Sequence, residues 1–222
     1  MPGDARQVDT AGSSGSDVPI VLIGGGGHAR VVAYSGRESG MGVLGFADDD
    51  PGASVEGLAH LGGIDDVLSD GRYAGVGVIL SMGPSSARTR LMVRLSGCAL
   101  ATVVHPSSVL SRRAAIGGGV YVGPGAVVNA GARICAHAIV NSGAVIEHEC
   151  ELGEGSHACP RSCAGGGARL GERSVLGTGA VVLPGVTLGS DAVAGAMTLV
   201  NRDVPSGETV VGVPARALAR GA

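Results

Sequence analysis

The sequence predicts a small α/β unit followed by an all-β solenoid, and three observations predict it. From residue 104 to residue 204 every sixth residue is apolar (Val104, Leu110, Ile116, Val122, Val128 and onward to Ala194 and Val200), through seventeen hexads without an insertion. A second column, four residues further on, holds only small or β-branched side chains, among them Ala114, Ala126, Ala138, Cys150, Ser162, Ser174 and Thr198. Ahead of the hexads, the apolar run at 18–23 (VPIVLI) leads into four consecutive glycines, Gly24 to Gly27, and then a helical pattern. A six-residue period suits neither an α-helix nor a hairpin sheet. It suits a solenoid in which each hexad is a short strand plus a corner.

Each element then follows from local chemistry. The apolar column points inward, and the second column must be small because a corner leaves little room. Gly and Asn at the corners supply backbone angles that other residues resist. Three hexads make one triangular coil, so residues eighteen apart stack, and seventeen hexads give about five and two-thirds coils. In the N-terminal part, 18–23 reads as a buried parallel strand, and Gly24–Val32 as a glycine turn opening a helix whose N–H groups face an anion. Residues 42–47 read as a second strand ending at Asp48-Asp49-Asp50, 64–69 as a short helix, 76–81 as a third strand and 87–95 as a helix carrying Arg88, Arg90 and Arg94. The spacing G-x-G-x-x-A is a loose dinucleotide fingerprint, and Asp48, about twenty residues on, sits where an acid meets a ribose hydroxyl. DDDPG is equally good turn chemistry. About 80 residues make a small Rossmann-like unit rather than a complete dinucleotide domain, which argues against a dehydrogenase. The segment after Val204 leaves the six-residue phase and is expected to cap the last coil.

Composition narrows the function. The 222 residues include 41 glycines and 2% aromatics, as corners and a narrow core require. The net charge of −3 gives no electrostatic case for nucleic acid. All 16 basic residues are Arg, so no lysine Schiff base can form. The five cysteines (Cys98, Cys135, Cys150, Cys159, Cys163) form no CxxC pair and suit a reducing compartment. No apolar run reaches 18 residues and no basic-then-apolar leader is present, so a cytoplasmic protein with no membrane insertion is expected.

Chemistry concentrates in Asn141, Glu147-His148-Glu149 and His157. His148 lies two residues past inward Ile146 and so faces outward or sits at a corner, with Gly166 eighteen residues on stacked beside it. A carboxylate beside an imidazole raises its basicity and fixes its tautomer, which suits a general base. An inert surface histidine between two acids has the same sequence. A metal at His148 and His157 finds no third ligand at diagnostic spacing, and Cys150, in the inward column, is no acyl carrier.

The segments GGGGHARVV, FADDD, ATVVHPSSV, NSGAVIEHECELGEGSHACPRSCAGGGARLG, VLPGVTLGSDAVAGA and GVPAR resemble the bacterial sugar acyltransferases, across about residues 18–217. That family includes nucleotide-linked amino-sugar N-acetyltransferases and sialic acid O-acetyltransferases. The resemblance implies a left-handed parallel β-helix of hexapeptide repeats, a homotrimer, and acetyl-CoA lying between neighbouring subunits. It implies His148 as general base oriented by Glu149, His157 near the acetyl carbonyl, and Gly166, Thr178 and Ala196 along the CoA groove. It places a sugar nucleotide at Gly26, Gly27, His28, Asp48 and Asp49, with Asn141 facing the sugar and Arg88 near the diphosphate. Pro84, Arg161 and Met197 depart from the family's pattern.

The expected organisation is a disordered tail (1–17), a sugar-nucleotide-binding domain (18–100), an acetyl-CoA domain (101–204) and a C-terminal cap (205–222). The expected reaction is acetyl transfer to the amino group of a nucleotide-linked sugar, without a metal. The alternatives are O-acetylation of a sialic acid or related sugar, and a trimeric scaffold that binds sugar nucleotides without chemistry.

Overall fold

A computed structural model describes residues 19–218; the tail expected to be disordered lies outside them. The chain opens with β1 (Ile20–Ile23), α1 (Gly27–Glu38), β2 (Val43–Ala47), α2 (Ile64–Ser69), β3 (Gly77–Leu80) and α3 (Ser86–Arg94). The three strands form a parallel sheet in the order β2-β1-β3. The central strand is apolar on both faces because both are covered. Ile20 and Leu22 pack with Ala29, Val32 and Ala33 of α1 and with Val103, Tyr121 and Ile139 of the solenoid. Val21 and Ile23 pack on the other side with α2 and α3 through Ile64, Val67, Leu91 and Met92.

Seventeen two-residue strands follow, from Val103–Val104 to Leu199–Val200. Strands eighteen residues apart pair in parallel, as in Ile139↔His157 and Val145↔Cys163. The result is a three-sided, left-handed β-helix. In nearly every hexad the second strand residue points inward and the first outward. Ile116 through Val200 and the small column from Ala114 to Ala192 fill one continuous core. The first face carries Tyr121, Ile139, His157 and Val175 outward, the second Val127, Val145, Cys163 and Val181, and the third Arg133, Glu151, Arg169 and Thr187. After the last coil, Thr209–Val211 pairs with Val193–Ala194 and Arg216–Ala217 folds back antiparallel on it, covering the end.

The corners differ in one respect from expectation. Every sixth residue from Gly119 to Met197 has a left-handed backbone. Asn supplies none of these positions. Glycine shares them with His137, Glu149, Arg161, Arg173, Asp191 and Met197, at φ between 55° and 60°. A left-handed L-residue costs roughly 1–2 kcal/mol. Stacking of one coil on the next offsets it, since each such residue also donates its N–H to the preceding coil: His137 to the Gly118 carbonyl at 2.9 Å and Glu149 to that of Ala130 at 3.1 Å.

Candidate active site

The outward residues gather at two places. His148 and Glu149 occupy a corner between the second and third faces. The His148 side chain is 64% exposed and Glu149 78% exposed, with Nδ1 3.7 Å from Oε2. That is an electrostatic contact, too long for a hydrogen bond. Glu147 is engaged elsewhere, accepting from the Asn129 side-chain amide at 3.1 Å. Gly166 stacks under the ring as the eighteen-residue spacing predicts. A Cβ there would lie 2.5 Å from His148 Nε2 and 2.6 Å from Cε1, so the missing side chain is the seat of the imidazole. Cys150 is buried, with Sγ against the Gly165 carbonyl at 3.1 Å, and offers no accessible nucleophile.

Asn141 and His157 meet elsewhere, on the first face and its corner with the second. Asn141 Oδ1 accepts from the Ser142 N–H at 2.8 Å, which turns its amide N–H₂ toward His157 Nε2 at 3.1 Å. The Nε2 atom therefore accepts, and the proton resides on Nδ1, which is buried without a partner. Burial, then the neighbouring His28 and Arg88, push the His157 pKa down to about 3, so the ring is neutral at physiological pH. The cluster read from sequence thus divides: Asn141 joins His157, while His148 and Glu149 stand at a different corner. Thr178 and Ala196 stack on the Asn141 side, both exposed, with the Met197 N–H donating to the Thr178 carbonyl at 2.9 Å. Gly166 belongs to the His148 side.

The glycine loop faces the same first face. Gly24 has φ 108°, and a Cβ at Gly25 would strike Phe46 at 2.5 Å, so these two glycines are structural. Gly26 and Gly27 are different: exposed, with open space where a Cβ would stand, at the N-terminus of twelve-residue α1. Nothing acidic occupies that first turn, and its N–H groups suit an anion. His28 follows, edge-on to Tyr121 with ring centroids 5.2 Å apart. Burial and then Arg88 lower its pKa to about 4, and its Nε2 is buried without a partner. Tyr121, an outward residue of the first face that the inward columns do not flag, anchors this corner by pairing with Ser35 Oγ at 2.9 Å.

Three expected substrate contacts make hydrogen bonds within the chain. Asp48 accepts from the Gly25 N–H at 2.6 Å and the Asp50 N–H at 2.9 Å, holding the glycine turn. Asp49 accepts from the Ile64 N–H at 2.8 Å and so anchors the start of α2. Arg88, expected near a diphosphate, is 2% exposed and donates to backbone carbonyls. The cause is local: Ser85 caps α3 by accepting from the Arg88 N–H, and the first turn then aims the guanidinium inward. Among the described residues no three His, Cys, Asp or Glu side chains stand together as a metal site.

Comparison with known proteins supports the fold. The family model of the PglD N-terminal domain matches residues 19–95. A histidine-to-alanine mutant of GDP-perosamine N-acetyl transferase from Caulobacter crescentus, solved with CoA and GDP-perosamine, is 38% identical with TM-score 0.85, covering 91% of this chain and 97% of that one. The acetyltransferase domain of PglB from Neisseria gonorrhoeae, solved with acetyl coenzyme A, is 32% identical with TM-score 0.86, covering 91% and 100%. WeeI from Acinetobacter baumannii shares the fold at 24% identity and TM-score 0.76, covering 90% and 99%.

Proposed function

Since the chain belongs to the hexapeptide-repeat sugar N-acetyltransferases, we propose that it moves the acetyl group of acetyl-CoA onto the amino group of a nucleotide-linked amino sugar, with His148 as general base. The observation that carries this reading is the exposed His148 imidazole seated on bare Gly166 at an open edge of the β-helix. His148 takes a proton as the amine nitrogen bonds to the acyl carbon; the carbon–sulfur bond breaks and the thiolate leaves as free CoA. Glu149 stabilises the imidazolium so formed. The nucleotide's diphosphate binds the N–H groups at Gly26 and Gly27, with His28 beside them. Asn141 and neutral His157 face the sugar and the acyl carbonyl, with the Asn141 amide holding the His157 ring in place. The thiol-release rate on a panel of UDP-, GDP-, dTDP- and CMP-linked amino and hydroxy sugars tests the reading. Rapid CoA release with an amino sugar supports it. Release only with hydroxy sugars favours O-acetylation, and none with any sugar favours a binding scaffold.

The placement of the two half-sites supports a homotrimer. Within one chain His148 lies at one edge of the second face, and Asn141, Thr178 and Ala196 at the other. Between them run Val109, Val127, Val145, Cys163, Val181 and Leu199, an uncharged column, whereas the third face carries Arg133, Glu151 and Arg169. Packing the second face around a threefold axis buries that column and brings the His148 edge of one copy beside the Asn141 edge of the next. CoA would lie in the resulting cleft. Val181→Asp is expected to convert trimer to monomer in sedimentation velocity and to abolish thiol release while leaving nucleotide binding in place. A trimeric, active Val181→Asp protein would remove this arrangement.

Gly166→Ala puts a methyl group where the imidazole rests, so the ring must swing away. A misplacement of about 1 Å costs roughly 100-fold in rate. We expect a loss of that order in kcat with an unchanged melting temperature, because Gly166 does not need a left-handed φ.

A further inference from the structure

Arg88 is the most deeply buried charge in the described chain, 2% exposed, and pairs with no carboxylate. Burial lowers its pKa only to about 10, so it stays cationic. A buried cation held by neutral groups is costly, and an apolar side chain of similar size would pack there more cheaply. What it does instead is join two parts of the molecule. One guanidinium nitrogen donates to the Met82 carbonyl at 2.7 Å, in the loop after β3. The other donates to the His137 carbonyl at 2.5 Å, on a corner of the β-helix. His137 is itself fixed, with a left-handed φ of 57° and a ring lying where a Cβ on Gly119 would come within 2.7 Å.

The loop that Arg88 grips packs against the glycine turn. Met82 fills the space at Gly24, its Cε 2.7 Å from where a Cβ would be, and Ser81 Oγ donates to the Gly24 carbonyl at 2.7 Å. A continuous set of contacts therefore runs from the His137 corner through Arg88 and Met82 to Gly24, two residues before the open N–H groups of Gly26 and Gly27. We infer that Arg88 is a positioning residue: it ties the β-helix to the glycine loop, so that the anion-binding N-terminus of α1 keeps a fixed placement over the Asn141–His157 pair. This inference rests on the proposed function for what binds there, and it assigns Arg88 no contact with substrate.

Calorimetric titration of UDP, GDP, dTDP and free CoA into the full chain tests it. With whichever nucleotide binds the wild type, Arg88→Met is expected to weaken affinity at least about tenfold, and Arg88→Lys, which keeps the charge but grips less well, by less. CoA affinity should stay within about twofold, because its groove lies on another edge. Met82→Ala, which removes the buttress at Gly24 and leaves the Arg88 hydrogen bonds to backbone in place, should also weaken nucleotide binding. A merely structural arginine would lower the melting temperature and leave nucleotide and CoA affinities in their wild-type ratio; that result, or wild-type nucleotide affinity in Arg88→Met, overturns the inference. Should Arg88→Met fail to fold, Met82→Ala decides, and unchanged nucleotide affinity there overturns it. A wild-type chain that binds none of the nucleotides removes the proposed function itself, a separate outcome.

Discussion

With His148 as the proposed general base, we expect His148→Ala to lower kcat by about 10²–10⁴-fold, the range a general base contributes, and to leave the oligomeric state and the melting temperature as in wild type. The structural half of that expectation follows from exposure: the side chain is 64% exposed and its ring rests on a glycine, so its loss leaves no buried cavity. The chemical half follows from the surroundings. Cys150 is turned into the core, and His157 accepts a hydrogen bond from Asn141 through the nitrogen that would otherwise take a proton. No neighbouring group on that corner can replace the imidazole except Glu149, a weaker base. Thiol release with saturating acetyl-CoA and the accepted sugar nucleotide measures the effect. Activity within threefold of wild type would remove His148 from the mechanism.

We expect stability to fall steeply in acid through three buried histidines. His28 and His137 have pKa values lowered to about 4, and His157 to about 3, in each case chiefly by burial and further by the Arg88 charge. The unfolded chain binds these protons near pH 6.5, so between about pH 6.5 and 4 it holds more protons than the folded one. Their contribution is therefore complete above pH 6.5 and is lost as pH falls through that window. Three such groups together give a slope of up to about 4 kcal/mol per pH unit near pH 5. We expect a melting temperature that is level from pH 8 to 7 and drops sharply below pH 6. His157→Asn, which removes one titrating ring, should reduce the slope by about a third. A melting temperature that stays level down to pH 5 would contradict the burial of these rings.

The hexad column, the small column and the strand–glycine–helix start were all legible because each is a local rule repeated along the chain. Inward residues must be apolar wherever a coil turns, and the eighteen-residue spacing even placed Gly166 under His148. The loop acids were less legible. FADDD suits a turn and a ribose contact equally well, and only the folded backbone, by placing the Gly25 and Ile64 N–H groups within reach, directs Asp48 and Asp49 to hold their own chain.

By itself, then, the order of residues determined the coil, its three-sided cross-section and which side chains face outward, since period and side-chain volume decide these within a few residues. Which outward residues meet was decided by the tertiary structure. Asn141 and His157 join across a corner, His148 stands apart on another edge, and Arg88 turns inward to hold the β-helix against the glycine loop. The physical reason is that a hexad specifies inside from outside but carries no information about what packs against each outer face. That depends on how the α/β unit docks.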